Sequence, residues 1–246
     1  MKLKTTFAEI TNLGNRKINE DSIGVIERDG KFGAVLCDGL GGHGLGDIAS
    51  KLVVDVFTRR VSVQEKNEVI ITKTFEEAQA KLLEEQKKRR VPNKIKTTAV
   101  IAIADTKHLH IGHIGDSRAY IFRKNEILKR TIDHSIPQML ALSGEIKEQE
   151  IRNHPDRNML LRVLGAEWQE PQYDMMKPIS LRKVQAVLIC SDGFWELIDE
   201  QSMCQCLKDS NNVQEWLNTM RTIVEINGKD HNMDNYSAIA IWNQKI

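Results

Sequence analysis

Cysteine and proline are scarce in this chain of 246 residues, which contains four cysteines and five prolines. Cys37, Cys190, Cys204 and Cys206 form no metal-binding knuckle, and the first two each end an apolar run. Buried free thiols are therefore expected rather than a disulfide framework. Because no Pro/Ser-rich linker or internal repeat divides the chain, residues 1–246 are expected to form a single domain.

A strong charge of one sign and a long apolar run are also absent. The 35 basic and 34 acidic residues give a formal charge of +1, which disfavours the basic surface of a nucleic-acid-binding protein. No apolar run approaches the ~18 residues that span a bilayer, and the first ten residues lack the apolar core of a signal peptide. The sequence predicts a cytoplasmic protein that binds neither nucleic acid nor membrane, and we expect a monomer.

The pattern of apolar residues predicts an α+β fold. Strand-like segments occur at residues 32–37, 97–104, 108–114, 119–123, 186–190 and 237–242. Helices are expected over residues 46–60, 65–90 and 214–226, with short helices within 135–165. Because several strands follow one another directly, we expect antiparallel sheets with helices packed outside them rather than a doubly wound parallel sheet.

Acidic residues stand at the ends of several of these strands. They are Asp38 after FGAVLC, Asp116 after HIGHIG, Asp192 after AVLIC and a serine, Asp234 before SAIAIW, and Glu20 and Asp21 before SIGVIE. A single Asp-Gly pair is most simply a tight turn. Carboxylates gathered at one rim, however, would repel one another unless a cation neutralised them. Oxygen ligands without a Cys or His cluster favour Mg²⁺ or Mn²⁺.

The stretch VLCDGLGGHGLGD, residues 35–47, is the richest in glycine. Gly39 can offer its backbone carbonyl as a ligand, and Gly41 and Gly42 leave space for waters and a phosphate. No Lys-Ser or Lys-Thr pair follows, and the spacing is not GxGxxG, so neither nucleotide-binding motif is present.

Two further residues have a functional and a structural interpretation each. Arg16 lies four residues before Glu20 and suits bidentate binding of a phosphoryl group, although a solvated surface arginine is the alternative. His43 can act as an acid or orient a water, or it can simply be a turn residue.

The order of these motifs resembles the metal-dependent serine/threonine protein phosphatases of the 2C type, in particular their compact bacterial members. The resemblance covers GNRKINEDS, VLCDGLGGHGLGDIAS, KTTAV, IGDSRAY, TIDHS, LLRVLG, CSDGFWE and DNYSAIAI, in the family's order. It implies a central sandwich of two antiparallel β-sheets flanked by helices, with a dinuclear metal centre at one end. It also implies a small helical flap beside the active site, at about residues 135–165.

The resemblance assigns metal roles to seven residues. Asp38 would bridge two Mn²⁺ or Mg²⁺ ions, and Gly39 would give its carbonyl to one of them. Asp192 and Asp234 would complete the shell of the other ion. Glu20 and Asp21 would ligate metal or hold metal-bound water. Asp116, together with Asp192, matches a third metal position.

The activity implied by the resemblance is hydrolysis of phosphoserine and phosphothreonine by direct attack of a water shared by the two metals. Arg16 would bind the substrate phosphate. The implied partners are phosphorylated Ser/Thr proteins, including a cognate Ser/Thr kinase. Leu40 stands where many eukaryotic relatives have a histidine proposed as the general acid, so metal-bound water, His43 or solvent would protonate the leaving group.

Two other functions are compatible with the same motifs. One is a catalytically weak regulatory or binding protein on the same fold, and it is disfavoured because unneeded clustered carboxylates only destabilise a fold. The other is a different two-metal hydrolase such as a nuclease, and the balanced charge disfavours it.

Overall fold

Two antiparallel sheets pack face to face, with helices outside each sheet, as predicted. The computed structural model describes residues 3–28, 30–41, 44–61 and 64–245. The strands are β1 (Leu3–Asn12), β2 (Asp21–Arg28), β3 (Lys31–Leu40), β4 (Lys96–Thr97), β5 (Ala99–Ala104), β6 (His108–Ile114), β7 (Arg118–Arg123), β8 (Glu126–Arg130), β9 (Asp174–Met175), β10 (Ile179–Ser180), β11 (Ala186–Cys190) and β12 (Tyr236–Lys245).

The strand order shows how distant segments become neighbours. One sheet has the order β1-β12-β11-β7-β8, and the other has the order β10-β6-β5-β3-β2, with β4 paired to β3 and β9 paired to β6. The helices are α1 (Gly46–Arg60), α2 (Asn67–Arg89), α3 (Ile136–Ser143), α4 (Asp192–Trp195), α5 (Glu200–Asp209) and α6 (Val213–Gly228). The first and last strands of the described chain are thus adjacent, which joins its two ends in one sheet.

The core forms three apolar layers because side chains alternate between the two faces of each strand. Along β3, Val35 packs in the layer that contains Phe57 of α1 and Phe75 of α2. The next residue, Leu36, packs between the two sheets together with Ile189 of β11. Both β3 side chains are fully buried, which explains why FGAVLC is apolar throughout instead of alternating with polar residues.

The third layer lies between the other sheet and the C-terminal helices. Trp216 of α6 is fully buried, and its ring meets that of Phe122 edge-on at a centroid distance of 5.3 Å. Helices α5 and α6 begin after Asp199 and Asn212, whose side chains accept hydrogen bonds from the backbone N–H groups of Ser202 and Glu215. Such caps satisfy amide groups that the first turn of a helix leaves unpaired.

The pairing registers bring the acidic strand ends to one rim of the sandwich. Asp21 lies directly opposite Asp38 on the β2–β3 pair. At the same end, Cys190 of β11 is opposite Arg118 on one side and Ala238 on the other. The segments that carry Asp116, Asp192 and Asp234 therefore leave or join their strands next to one another.

Several element predictions are confirmed and others were incomplete. Helix α1 has the predicted bounds, and α2 lies within the predicted 65–90. Strands β1 and β8 and helix α5 were not predicted. In residues 135–165 the structure has α3, which ends at Gly144 with φ +82°, and one short 3₁₀ segment, Glu148–Asn153. Cys37 and Cys190 are buried free thiols, as expected. No helix of the described chain has the length and apolar character needed to cross a membrane.

Candidate metal and phosphate site

A cleft of about 440 Å³ opens at the rim where the acidic strand ends meet. Among the residues that line it are most of those predicted from the sequence: Arg16, Glu20, Asp38, Gly39, Asp116, Asp192 and Asp234. Of the two other predicted residues, Asp21 is buried and does not line the cleft, and His43 lies outside the described residues. The predicted residues thus share one region of the fold, and their roles in binding stay predictions.

The backbone of Asp38 is held by Thr97, the last residue of β4, and by Thr98, which follows it. The Thr98 hydroxyl accepts a hydrogen bond from the Asp38 amide at 3.1 Å, and the Thr97 hydroxyl donates to the Asp38 carbonyl at 2.7 Å. The Thr98 hydroxyl also contacts the Ser117 hydroxyl at 2.7 Å. These bonds fix the backbone around Asp38 and leave its carboxylate directed to other partners.

Asp21 lies beneath the cleft with one of its oxygens unpaired. Its Oδ2 accepts a hydrogen bond from the Ser191 hydroxyl at 2.9 Å, whereas its buried Oδ1 has no hydrogen-bond donor among the described residues. Burial raises the pKa of Asp21 to about 7, and the charges of Asp192 and Asp234 contribute to the rise. A buried oxygen without a donor is the group that a cation or a water bound to one would satisfy.

The other acids resist ionisation for the same reasons. Burial, together with the charges of nearby carboxylates, raises the pKa of Asp38 and of Asp116 well above their usual range. The pKa of Asp192 is also raised by burial, although a hydrogen bond with Asp38 opposes the rise. Such a group of acids is stable in its charged form only when a positive charge lies among them.

The glycines after Asp38 make room for Glu20. The Glu20 side chain accepts a hydrogen bond from the Gly46 amide at 3.1 Å, and the Glu20 backbone carbonyl accepts one from Gly39. A Cβ atom on Gly41 would overlap the Glu20 carboxylate, and one on Gly39 would overlap the Gly46 backbone. The Glu20 carboxylate therefore lies beside Gly41, which also lines the cleft, and the space expected there for water and phosphate stays a prediction. Gly42 lies outside the described residues.

Arg16 lies at the mouth of the cleft, where its guanidinium donates to the Asp234 carboxylate at 2.7 Å. Both side chains remain nearly half exposed, at 47% and 46%. Asn235 links the two chain segments that carry them, because its side chain donates to the carbonyls of Leu13 and Ile18 and accepts from the Glu20 amide. A half-exposed guanidinium beside a carboxylate cleft can meet an anion that arrives from solvent.

A cation in this cleft would be held by carboxylate and backbone oxygens, the donor set that Mg²⁺ and Mn²⁺ prefer. The carboxylates do not converge on one point. The only set of three His, Cys or acidic side chains in the described chain with ligand atoms within 4.8 Å of one another is His113, His134 and Asp174. Wider spacing suits ions that keep several waters, and the unpaired Asp21 oxygen fits such a group.

The His113, His134 and Asp174 cluster is less suited to a metal. The Gly115 amide donates to His134 Nδ1 at 3.2 Å, and His134 Nε2 lies 3.2 Å from Asp174 Oδ2. Nδ1 accepts, so in the neutral ring the proton resides on Nε2 and points to Asp174. Neither nitrogen of His134 then has a free lone pair for a metal.

Some supporting residues were not predicted, and one predicted residue cannot be placed. Thr98, Ser191 and Asn235 all bond to the acidic residues or to their backbone amides. In the sequence, Ser191 and Asn235 could have been indicated only by their position next to Asp192 and Asp234, and no neighbouring acid marks Thr98. Leu40 lines the cleft, as its position after Gly39 requires. His43 lies outside the described residues, so its predicted role as an acid or water-orienting group stays a prediction.

Comparisons with known proteins agree with this geometry. The family model described as Protein phosphatase 2C matches residues 11–235. The chain is 30% identical to the serine/threonine phosphatase stp of Listeria welshimeri, over 89% of this chain and 88% of that protein. It superposes on the crystal structure of the serine/threonine phosphatase Stp1 from Staphylococcus aureus with a TM-score of 0.86, at 26% identity, covering 100% of this chain and 96% of that one.

A third relative shares the fold at lower identity. The catalytic domain of the serine/threonine protein phosphatase PstP, solved in complex with two manganese ions, superposes with a TM-score of 0.81 at 22% identity, covering 99% of this chain and 100% of that one. The predicted sandwich and the resemblance noted from the motifs are both confirmed. The chain belongs to the protein phosphatase 2C family.

Proposed function

We propose that this chain hydrolyses phosphoserine and phosphothreonine in proteins, using two Mn²⁺ or Mg²⁺ ions held in the acidic cleft. The observation that carries the proposal is the gathering of buried and half-buried carboxylates at one rim, where their charges raise one another's pKa, with a half-exposed arginine at the mouth. When bound, the cations would lower the pKa of a water and neutralise charge on the phosphoryl oxygens.

The residues of the chain divide this task between them. Asp38 and Asp192 line the same cleft, and the charge of Asp192 helps to raise the pKa of Asp38, so we expect them to act on the same ion. The ligand set would be completed by the Gly39 carbonyl, Asp234 and Glu20. The unpaired Oδ1 of the buried Asp21 would bind a cation or a water held by one. Asp116 with Asp192 would hold a third ion.

Arg16 would bind the phosphate of the substrate. Its guanidinium already donates to Asp234 through one nitrogen, and the remaining N–H groups can make two parallel bonds to phosphoryl oxygens. Because Leu40 cannot donate a proton, the leaving serine or threonine oxygen would be protonated by His43, by water on a cation or by solvent.

Partners and setting follow from the same proposal. Phosphorylated Ser/Thr proteins, including a cognate Ser/Thr kinase, are the proposed substrates, and a monomer in the cytoplasm is the proposed state. The relatives support the substrate class, since they are named as serine/threonine phosphatases, and the PstP complex supports manganese.

Release of phosphate from a phosphothreonine peptide tests the proposal. We expect turnover with Mn²⁺, none with EDTA, and a loss on the order of 10²–10³-fold for Asp38→Asn, because the substitution removes a charge that stabilises the transition state through the cations. Asp55→Asn, on the exposed face of α1, is the matched control and should retain full turnover. Folded, Mn²⁺-loaded protein without turnover would contradict the proposal and favour a binding or regulatory role.

Arg16 gives a second test on the same peptide. Arg16→Lys keeps the charge but loses the paired N–H geometry, and Arg16→Ala loses both. We expect KM to rise in that order, with the larger increase for alanine. Unchanged KM for both variants would assign Arg16 to the solvated surface instead.

A further inference from the structure

The turn between β6 and β7 determines where Asp116 lies in the cleft. Gly115 adopts φ +98°, and a Cβ atom there would press into the side chain of Thr98. On the other side, the Trp195 indole donates to the Asp116 carbonyl at 3.0 Å. The Asp116 carboxylate is thus placed by a short backbone segment whose shape depends on the groups that contact it.

His134 makes two of those contacts. Its ring Nδ1 accepts a hydrogen bond from the Gly115 amide at 3.2 Å, and its own backbone amide donates to the Gly115 carbonyl at 2.9 Å. A single residue therefore satisfies both backbone polar groups of Gly115. His134 is only 7% exposed, so water cannot readily replace these bonds.

Asp174 fixes the proton of the His134 ring. Its Oδ2 lies 3.2 Å from Nε2, so a proton on Nε2 donates to it while Nδ1 stays free to accept from Gly115. The ring is also held in its plane by His113, which stacks on it at a centroid distance of 4.9 Å and donates from Nε2 to the Ile132 carbonyl.

His134 also bonds to a second segment that lines the cleft. The Leu161 amide donates to the His134 carbonyl at 2.8 Å, and Ser135 pairs with Leu160, which lines the cleft. A change at His134 would therefore alter both the backbone that places Asp116 and the segment that contains Leu160.

We propose that His134 is a positioning residue for the cation held by Asp116, and that Asp174 supports it by keeping the proton on Nε2. This inference rests on the proposed function, because Asp116 is assigned to the third ion there. Hydrogen bonds behind metal ligands typically change metal affinity by ~10–100-fold when they are lost. The structure thus assigns a role in metal affinity to a buried histidine that touches neither substrate nor cation.

Substitutions at His134 that keep or remove the hydrogen-bond acceptor for the Gly115 amide test this role. An asparagine side chain would place an oxygen where His134 has Nδ1, whereas a leucine side chain has no acceptor, so His134→Asn and His134→Leu form a matched pair. Isothermal titration with Mn²⁺ gives the dissociation constants of tight and weak sites directly, and peptide turnover against Mn²⁺ concentration gives kcat and the metal requirement separately. Asp174→Ala, at a side chain that is 56% exposed, provides a variant that disturbs folding little.

For His134→Leu we expect one Mn²⁺ site, the one that Asp116 would hold, to lose ~10–100-fold in affinity, while the other sites keep theirs. His134→Asn should stay within a few-fold of the unchanged protein, and Asp174→Ala should show a smaller loss at the same site. If folded His134→Leu and Asp174→Ala both bind Mn²⁺ as tightly as the unchanged protein, the inference is overturned. An equal loss of affinity at all sites would also overturn it. If the unchanged protein neither binds Mn²⁺ nor releases phosphate, the proposed function fails instead, so the two failures are distinguishable.

Discussion

Without a divalent cation, the stability of the protein should fall as the pH rises, and Asp21 should contribute to the fall together with Asp38, Asp116 and Asp192. Its pKa is raised from 3.8 to about 7 in the folded state. Between these values the folded protein holds a proton that the unfolded chain has released, so the free energy of unfolding decreases with rising pH. At ~1.4 kcal/mol per pH unit, the loss between pH 5 and pH 7 is up to about 3 kcal/mol from this one group.

The substitution Asp21→Asn removes the titrating group and keeps an oxygen for the Ser191 hydroxyl. Urea unfolding in EDTA at pH 5, 6 and 7 should show a smaller decrease for this variant than for the unchanged protein. Saturating Mn²⁺ should also remove the decrease, because a cation favours the ionised carboxylate. Asp55→Asn serves as the exposed control and should leave the slope unaltered. The same slope in EDTA for Asp21→Asn and the unchanged protein would show that Asp21 does not hold an extra proton in the folded state.

Three further predictions concern the structure around the site. Arg118 bonds Asp133 through two nitrogens, and its side chain is only 4% exposed. In urea unfolding, Arg118→Met should cost ~3–5 kcal/mol of unfolding free energy, and adding Asp133→Leu to the same chain should recover most of that loss. A cost below ~1 kcal/mol for Arg118→Met alone would contradict this prediction. Burial lowers the pKa of His113 to about 4. Between pH 6.5 and 4 the unfolded chain therefore binds a proton that the folded protein does not, and the free energy of unfolding falls as the pH falls. His113→Gln should reduce that fall by up to about 3 kcal/mol, and the same fall in the variant would contradict the prediction. Gly39→Ala should abolish phosphate release and lower the melting temperature, because the Gly46 backbone occupies the position of its Cβ; normal turnover would show that the segment adjusts.

Local patterns predicted the elements that carry the cleft. The FGAVLC strand was evident because both of its faces are buried, which makes every residue apolar. Helix α1 was evident from its repeating apolar pairs. Strand β1 was missed because its sequence, LKTTFAEITN, mixes polar and apolar residues without strict alternation. Its pairing with β12 along ten residues, which no local pattern shows, places it in the sheet.

The site was predictable in its ligands and not in its supports. Each acid follows or precedes an apolar strand, so its position at a strand end could be read directly. The bonds that orient the acids join segments far apart in the chain, such as Ser191 with Asp21, 170 residues away. No local pattern contains that information. The contact of Gly41 with Glu20 was not predicted for the same reason, since the sequence shows that Gly41 has no side chain but not which group lies beside it.

Anomalous diffraction from crystals grown with Mn²⁺ would locate each bound ion independently of activity and so test whether the acidic cleft holds two cations. The expected result is two strong manganese peaks in the cleft, both within coordination distance of Asp38, with any third peak beside Asp116 and Asp192. Peaks at His113, His134 and Asp174 with none beside Asp38 would contradict it, as would a cleft without manganese at concentrations that saturate binding in solution.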